Sequence, residues 1–233
     1  MTKHPDPASA FLRLALEENY SYRFNWLGRP IIQLPQDIVQ FQEIVAMTKP
    51  DLVVETGVAH GGSLVLSASL LCLLDLMDGV HPRESERKVI GIDIDLRPHN
   101  LEALNRHPLR FKMEIISGSS IDPTVIERVS HFAESSKSVL VALDSNHSHQ
   151  HVMAELNAYA KLVTVGNYCI VFDTVIEDLP AGSFPDRPWD VGDNPKTAVH
   201  EWIASHPEFE IDQSIDRKLL VSVAPNGYLK RVG

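Results

Sequence analysis

The chain has 233 residues, of which 44% are hydrophobic, and carries a formal net charge of −10 at pH 7. This length suits one well-packed core, so we expect a single domain covering residues 1–233. The negative charge and the lack of a lysine and arginine cluster argue against nucleic acid and anionic membranes as partners, and favour a small molecule.

The sequence has no strong signal for export or membrane insertion. The longest apolar run, residues 64–77, contains Asp75 and is shorter than the roughly 20 residues that a membrane-spanning helix needs. The N-terminus lacks the apolar core of a signal peptide. Cys72 and Cys169 lie in apolar segments, as reduced core cysteines do. We therefore expect a cytoplasmic protein without a disulfide.

Residues 1–35 are expected to form a cap. A short helix is predicted at 8–19, and an aromatic segment with Tyr20, Tyr22, Phe24 and Trp26 follows it. A second helix is then predicted, because apolar residues recur at helical spacing from Ile38 to Val45.

Residues 53–63 read V-V-E-T-G-V-A-H-G-G-S, the pattern of a buried strand, a glycine-rich turn and the start of an apolar helix. Glycines let a ligand approach the backbone, and the helix N-terminus favours a carboxylate or phosphate. NAD is disfavoured because the pattern is not G-x-G-x-x-G and the next strand-end acid, Asp93, lies well beyond the expected spacing of about 20 residues. The pattern E-x-G-x-x-x-G-G-S resembles the first motif of class I S-adenosylmethionine (SAM) methyltransferases. The alternative is a tight turn that binds no ligand.

Further apolar strands are predicted at 89–93, 111–116, 139–144 and 168–173, with helical segments between them. This alternation predicts an α/β fold, a doubly wound, mostly parallel, Rossmann-like sheet whose ligand lies across the strand carboxyl ends. Polar residues stand at each of these ends: Glu55, Asp93, Ser119, Asp144 and Asp173.

The last third of the chain begins with a proline- and glycine-rich stretch. Residues 176–195 contain four prolines and two glycines, which predicts a lid loop over a binding site. A helix is predicted at 196–204. Apolar segments at 209–211 and 219–223 predict a C-terminal antiparallel strand pair, because only a short connection separates them.

Asp144 and Asp173 end consecutive strands, so both carboxylates are expected to bind one hard cation such as Mg²⁺, with Thr174 as a weak third oxygen ligand. In the alternative, Asp144 caps a turn and Asp173 pairs with a nearby cation, and no metal is bound. His147 lies three residues after Asp144 and is the candidate general base, since imidazole accepts protons near neutral pH.

The other histidines are assigned lesser roles. The run from His147 to His151 raises the question of zinc, but it contains no cysteine, and His149 and His151 are expected to be solvated. His60, inside the glycine turn, is expected to be structural or adjacent to the cofactor rather than catalytic.

Four segments occur together in this chain, residues 54–63, 91–95, 144–149 and 225–229. With them, and with residues 28–31 and 33–37, the chain resembles the cephalosporin hydroxylase/rhamnosyl O-methyltransferase family from about residue 24 to the C-terminus. The resemblance implies a class I SAM-dependent fold and a Mg²⁺ site at Asp144 and Asp173. Thr174 departs from the Asn or acid more common in related enzymes. The cofactor residues that follow from the motif and the resemblance are Glu55, Gly57, His60, Gly61, Ser63, Asp93 and Ser119.

The predicted function is SAM-dependent, Mg²⁺-dependent O-methylation of a small molecule such as a sugar or natural product, with Asp144 and His147 as catalytic residues. A hydroxylase or a hydroxylase-associated subunit is one alternative, taken from the family label alone. A SAM-binding protein without turnover is another. The sequence is compatible with a homo-oligomer and does not identify the acceptor.

Overall fold

The computed structural model describes residues 7–233, and residues 1–6 of the predicted cap lie outside this range. Strands and helices alternate from the third strand to the seventh, as the sequence predicts. Within residues 7–233 the β-strands are β1 (Phe24–Trp26), β2 (Arg29–Ile31), β3 (Leu52–Thr56), β4 (Lys88–Asp93), β5 (Met113–Ser117), β6 (Val139–Leu143), β7 (Tyr168–Val171), β8 (Phe209–Ile211) and β9 (Tyr228–Arg231). The α-helices are α1 (Pro7–Glu17), α2 (Pro35–Thr48), α3 (Gly62–Met77), α4 (Pro98–Asn105), α5 (Pro123–Glu134), α6 (His149–Tyr159), α7 (Pro195–Ile203) and α8 (Gln213–Leu219).

One seven-stranded sheet forms the centre of the molecule, in the order β5-β4-β3-β6-β7-β9-β8. The first five strands in this order are parallel, and Leu52 of β3 lies opposite Lys88 of β4 and Val139 of β6. All five residues of β3 are buried, as expected of a strand covered on both faces. The predicted doubly wound, mostly parallel α/β sheet is confirmed.

Two hydrophobic clusters pack on opposite faces of this sheet. Val53 joins the cluster that contains residues of α2 and α3, and its neighbour Val54 joins the cluster built with α5, α6 and α7. Successive strand residues point to opposite faces, so a continuous apolar strand supplies both cores. Both cysteines are buried and free, as predicted.

Asp75 interrupts the apolar sequence of α3 and is fully buried. It forms ion pairs with Lys112, which is 1% exposed, at 2.6 Å and with Arg87 at 2.9 Å. Removal of Asp75 would leave the buried Lys112 without an ion-pair partner, which is strongly destabilising. The acid therefore links α3 to the segments before β4 and β5.

The C-terminal antiparallel pair exists, but the prediction that residues 219–223 form one of its strands is wrong. Phe209–Ile211 pairs with β9, and α8 lies between the two strands. Residues 220–223 follow α8 without strand structure, and Asp37 of α2 binds this segment. Its carboxylate accepts hydrogen bonds from Ser222 Oγ at 2.6 Å and Val223 N at 2.9 Å.

Within the predicted cap, the strands β1 and β2 pack on α3. The two strands β1 and β2 form a separate antiparallel pair, and Trp26 donates a hydrogen bond to Ser69 of α3 at 3.0 Å. Among the described residues, every helix is too short or too polar to cross a lipid bilayer.

Candidate active site

The turn between β3 and α3 adopts left-handed backbone conformations. Gly57, Ala59 and Gly61 have φ angles of +84°, +47° and +83°. A Cβ atom at Gly57 would lie 2.0 Å from the carbonyl oxygen of Asp144, so the end of β3 approaches the end of β6 only with glycine there. Ala59 carries a side chain in a sparsely populated conformation, and such strain persists only where neighbouring contacts enforce it.

Glu55 lies at the carboxyl end of β3 and is 3% exposed. Ser63 Oγ donates a hydrogen bond to Glu55 Oε1 at 2.5 Å. Burial raises the pKa of the Glu55 carboxyl to about 7, and the hydrogen bond from Ser63 opposes this rise. No ion pair involves Glu55 within residues 7–233. A cationic group bound beside Glu55 would therefore stabilise its charged form.

Asp93, at the end of β4, binds the backbone of the glycine turn. Its Oδ2 accepts hydrogen bonds from the amides of Val58 at 2.9 Å and Ala59 at 2.8 Å. Its Oδ1 accepts a hydrogen bond from the amide of Asp95 at 2.8 Å. A carboxylate offers about four acceptor positions, so contacts to a ligand remain compatible with this arrangement. The predicted contact to ribose hydroxyls stays a prediction.

Asp144, His147 and Asp173 lie together at the ends of β6 and β7. One donor atom from each residue lies within 4.8 Å of the other two, and His147 Nε2 is 3.2 Å from Asp173 Oδ2. The two strands are parallel neighbours, which brings their carboxyl ends to the same edge of the sheet. Two carboxylates at this spacing fit a hard divalent cation.

The electrostatics of Asp144 agree with a cation site. Burial raises the pKa of its carboxyl well above the ordinary value, and the nearby Asp173 and Glu55 carboxylates raise it further. Gln33 opposes these effects, because its Nε2 donates a hydrogen bond to Asp144 Oδ2 at 3.1 Å. A dication between the carboxylates would favour their charged forms.

Thr174 has its hydroxyl engaged outside this group. The residue is fully buried, and its Oγ1 donates a hydrogen bond to the carbonyl oxygen of Pro225 at 2.7 Å. This contact ties the end of β7 to the segment before β9. The geometry therefore brings Asp144 and Asp173 together with His147, and gives Thr174 an anchoring contact.

His149 and His151 are partly buried and hydrogen-bonded rather than freely solvated, with 30% and 18% of their side chains exposed. His149 Nδ1 lies 2.9 Å from Thr197 Oγ1, and its Nε2 lies 3.3 Å from a Glu201 carboxylate oxygen. His151 Nε2 lies 3.1 Å from Ser145 Oγ and also contacts Ser120 Oγ. These histidines point to different neighbours, and the zinc alternative receives no support from them. Ser119 precedes Ser120 in the half-buried turn after β5.

A cavity of about 370 Å³ joins the glycine turn, the acidic group, the cap and the predicted lid. This volume falls within the range of roughly 300–1,000 Å³ typical of small-molecule sites. Among the predicted cofactor residues, Gly57, His60 and Ser63 line the cavity, whereas Glu55, Gly61, Asp93 and Ser119 do not. The predicted cap and lid contribute mostly apolar and aromatic lining residues: Leu12, Ala15, Leu16, Tyr22, Leu179, Phe184 and Trp189.

Trp189, in the predicted lid, packs against the candidate base. Its ring packs edge-on against the His147 ring with centroids 4.7 Å apart, and the Arg187 guanidinium lies 5.3 Å from the Trp189 centroid. Sequence reasoning assigned no role to Trp189 or Gln33. Gln33 belongs to the segment 33–37 that carries part of the family resemblance, and this was the signal available for it.

Residues 18–232 match the family model described as Rhamnosyl O-methyltransferase/CmcI. A rhamnosyl O-methyltransferase of Mycobacterium tuberculosis (strain ATCC 25618 / H37Rv) is 27% identical over 197 residues, covering 84% of this chain and 73% of the relative. One from Mycobacterium leprae (strain TN) is 27% identical over 208 residues, covering 88% and 82%. A solved structure described as "cmcI-D160 Mg-SAM" shares the fold, with 18% identity, a TM-score of 0.59, and coverage of 91% of this chain and 78% of that one.

Proposed function

The chain belongs to the rhamnosyl O-methyltransferase/CmcI family, and from this premise we propose that it is a SAM-dependent O-methyltransferase. Its acceptor is a hydroxyl of a sugar or natural product, and it uses a divalent cation, Mg²⁺. The observation that carries the proposal is one cavity in which the glycine turn meets the group of Asp144, His147 and Asp173. Relatives at 27% identity are named rhamnosyl O-methyltransferases, which favours a sugar acceptor.

The residues present fit both cofactors. Glu55 is a buried acid without an ion-pair partner among the described residues, and it suits the ammonium of SAM. The N-terminus of α3 offers free amides to the SAM carboxylate. Asp93 and Ser119 are assigned to the ribose and the adenine. Asp144 and Asp173 supply the oxygen ligands that Mg²⁺ prefers.

When bound, SAM supplies an electrophilic methyl group and Mg²⁺ supplies a Lewis acid that lowers the pKa of an acceptor hydroxyl. His147 donates its Nε2 hydrogen to the Asp173 carboxylate, so it takes the hydroxyl proton at Nδ1. The Asp173 carboxylate, 3.2 Å from Nε2, stabilises the resulting imidazolium. Trp189 packs against the His147 ring, fixes its orientation and excludes water from its side of the site.

The cap and lid are proposed to bind the acceptor. Tyr22 and Leu16 of the cap and Phe184 and Trp189 of the lid line the same cavity as the acidic group and supply apolar and aromatic surface to it. Such a surface suits the apolar face of a sugar ring or the body of a natural product. We propose that the chain is a single domain, in which residues 1–35 form the cap and residues 176–195 form the lid.

Methyl transfer tests this proposal directly. Protein is incubated with methyl-labelled SAM, Mg²⁺ and a panel of rhamnosyl glycosides and small polyhydroxylated acceptors, and the label is followed into product by mass spectrometry. We expect transfer that depends on Asp173 and survives in Asp78→Ala. Asp78 is a matched control, because it is an aspartate outside the cavity, the cap and the lid, and pairs with Lys49 at 2.8 Å. Equal transfer by Asp173→Ala and wild type would contradict the proposed site.

The alternative functions fit the site less well. A non-haem iron hydroxylase typically uses two histidines and one carboxylate, whereas this group has two carboxylates and one histidine. A SAM-binding protein without turnover would have no use for a base held against the acidic pair. We therefore retain methyl transfer as the single proposed function.

A further inference from the structure

Arg29 joins the N-terminal cap to the glycine turn. It lies in β2, and its guanidinium donates hydrogen bonds from Nε and Nη2 to the carbonyl oxygen of His60 at 2.8 and 2.5 Å. Nη2 also donates to Asn100 Oδ1 at 2.7 Å. Asn100, 4% exposed on α4, donates from Nδ2 to the carbonyl oxygen of Ala59 at 3.0 Å. Two consecutive turn carbonyls are thus bound from outside the turn.

The other side of the turn is bound by Asp93, which accepts hydrogen bonds from the amides of Val58 and Ala59. Ala59 is therefore bound at both its amide and its carbonyl, in a left-handed conformation that a non-glycine residue rarely adopts. These contacts supply the external restraint that such a conformation needs. Arg29 contributes the charged, two-point part of this restraint.

The strand that carries Arg29 also packs directly on the helix start. A Cβ atom at Gly62, the first residue of α3, would lie 2.2 Å from the carbonyl oxygen of Pro30. The backbone of β2 therefore contacts the beginning of α3 at the place where the turn ends. The segment 28–31, which carries part of the family resemblance and belongs to the predicted cap, contacts the predicted cofactor turn at two positions.

We propose that Arg29 is a positioning residue for cofactor binding, which holds the glycine turn in the conformation that receives SAM. It acts through the carbonyls of His60 and Ala59 and through Asn100, so the cap becomes part of the cofactor site as well as a wall of the acceptor cavity. The inference rests on the proposed function, because the ligand of the turn is taken to be SAM.

The test measures binding of S-adenosylhomocysteine (SAH) by titration calorimetry and hydrogen exchange of residues 57–63 in ligand-free protein. Arg29→Ala should weaken SAH binding by ~10-fold to ~100-fold, the usual effect of losing hydrogen bonds to a charged group, and should speed exchange in the turn. Arg29→Lys should recover part of both, since lysine keeps the charge without the planar fork. Arg23→Ala is the matched control, because Arg23 belongs to the same cap and pairs with Glu18 at the surface.

Several results would overturn the inference. One is unchanged SAH affinity and turn exchange in Arg29→Ala beside a wild-type protein that binds SAH. Another is a general loss of thermal stability with unchanged SAH affinity, which would show a structural role alone. If Arg29→Ala does not fold, Asn100→Ala and Arg29→Lys carry the same comparison. If wild type itself binds no SAH, the proposed function fails. The hydrogen exchange of residues 57–63 in ligand-free protein then shows by itself whether Arg29 holds the turn.

Discussion

Replacing Glu55 by glutamine should separate the stability of the ligand-free protein from its affinity for the cofactor. Burial raises the pKa of Glu55 from the ordinary value of 4.5 to about 7. Between these values the folded protein holds a proton that the unfolded chain has released. The free energy of unfolding therefore falls as pH rises through this window, and the loss is complete above pH 7. A gap of about 2.5 pH units at about 1.4 kcal/mol per unit corresponds to about 3–4 kcal/mol.

Glutamine has nearly the same shape as glutamate, does not ionise, and still accepts the hydrogen bond from Ser63. Glu55→Gln should therefore unfold with a free energy close to wild type at pH 5 and up to about 3–4 kcal/mol higher at pH 8. Urea unfolding of ligand-free protein at both pH values measures this. The control is Glu102→Gln, which removes a carboxylate that is 60% exposed and paired with Arg106.

The same variant should lose affinity for SAH, because it no longer offers a charge to the ligand's ammonium group. We expect a loss of ~10-fold or more at pH 8, and a wild-type affinity that rises from pH 6 to pH 8 as Glu55 ionises. The reasoning is refuted if Glu55→Gln keeps the wild-type pH dependence of unfolding. If Glu55→Gln is stabilised but still binds SAH with wild-type affinity, the Glu55 carboxylate does not belong to the cofactor site.

The remaining predictions concern turnover and the lid. EDTA should abolish methyl transfer and Mg²⁺ should restore it, and Asp144→Ala or Asp173→Ala should lower turnover far more than SAH affinity; full activity after exhaustive dialysis against EDTA would rule the metal out. His147→Ala should lower kcat by about 10²–10⁴, with partial recovery at high pH where the hydroxyl ionises unaided, and a pH-independent loss would argue against a base. Gln33→Leu should lower kcat with little change in SAH affinity, because it removes the hydrogen bond to Asp144; an unchanged kcat would show that this bond does not matter for turnover. Acceptor binding should slow hydrogen exchange in residues 176–195, and Trp189→Ala should raise KM for the acceptor; equal exchange with and without acceptor would indicate plain packing.

Much of the sheet and the arrangement of its acidic edge could be predicted from the sequence. A parallel sheet places consecutive strand ends at one edge, so apolar runs that end in an acid locate Glu55, Asp144 and Asp173 before any contact is known. The glycine turn could also be predicted from the sequence, because its left-handed backbone conformation favours glycine at positions 57 and 61. These features depend on local patterns that repeat along the chain.

The contacts that complete the site depend on residues far apart in sequence. Gln33 reaches Asp144 across 111 positions, and no periodicity marks such a pair. The error at 219–223 has the same origin. This apolar run looks like a strand, but the buried Asp37 carboxylate accepts a hydrogen bond from Ser222, 185 positions away, and holds the segment outside the sheet. Trp189 packs on His147 from a loop whose composition predicts a lid but not which side chain points inward.

Titration calorimetry of the wild-type chain with SAH and, separately, with NAD tests the central claim most directly. The claim is that the glycine turn and Glu55 form a SAM site beside the carboxylates of Asp144 and Asp173. We predict micromolar binding of SAH with or without Mg²⁺, and no heat from NAD. Binding of NAD together with no heat from SAH would contradict the account.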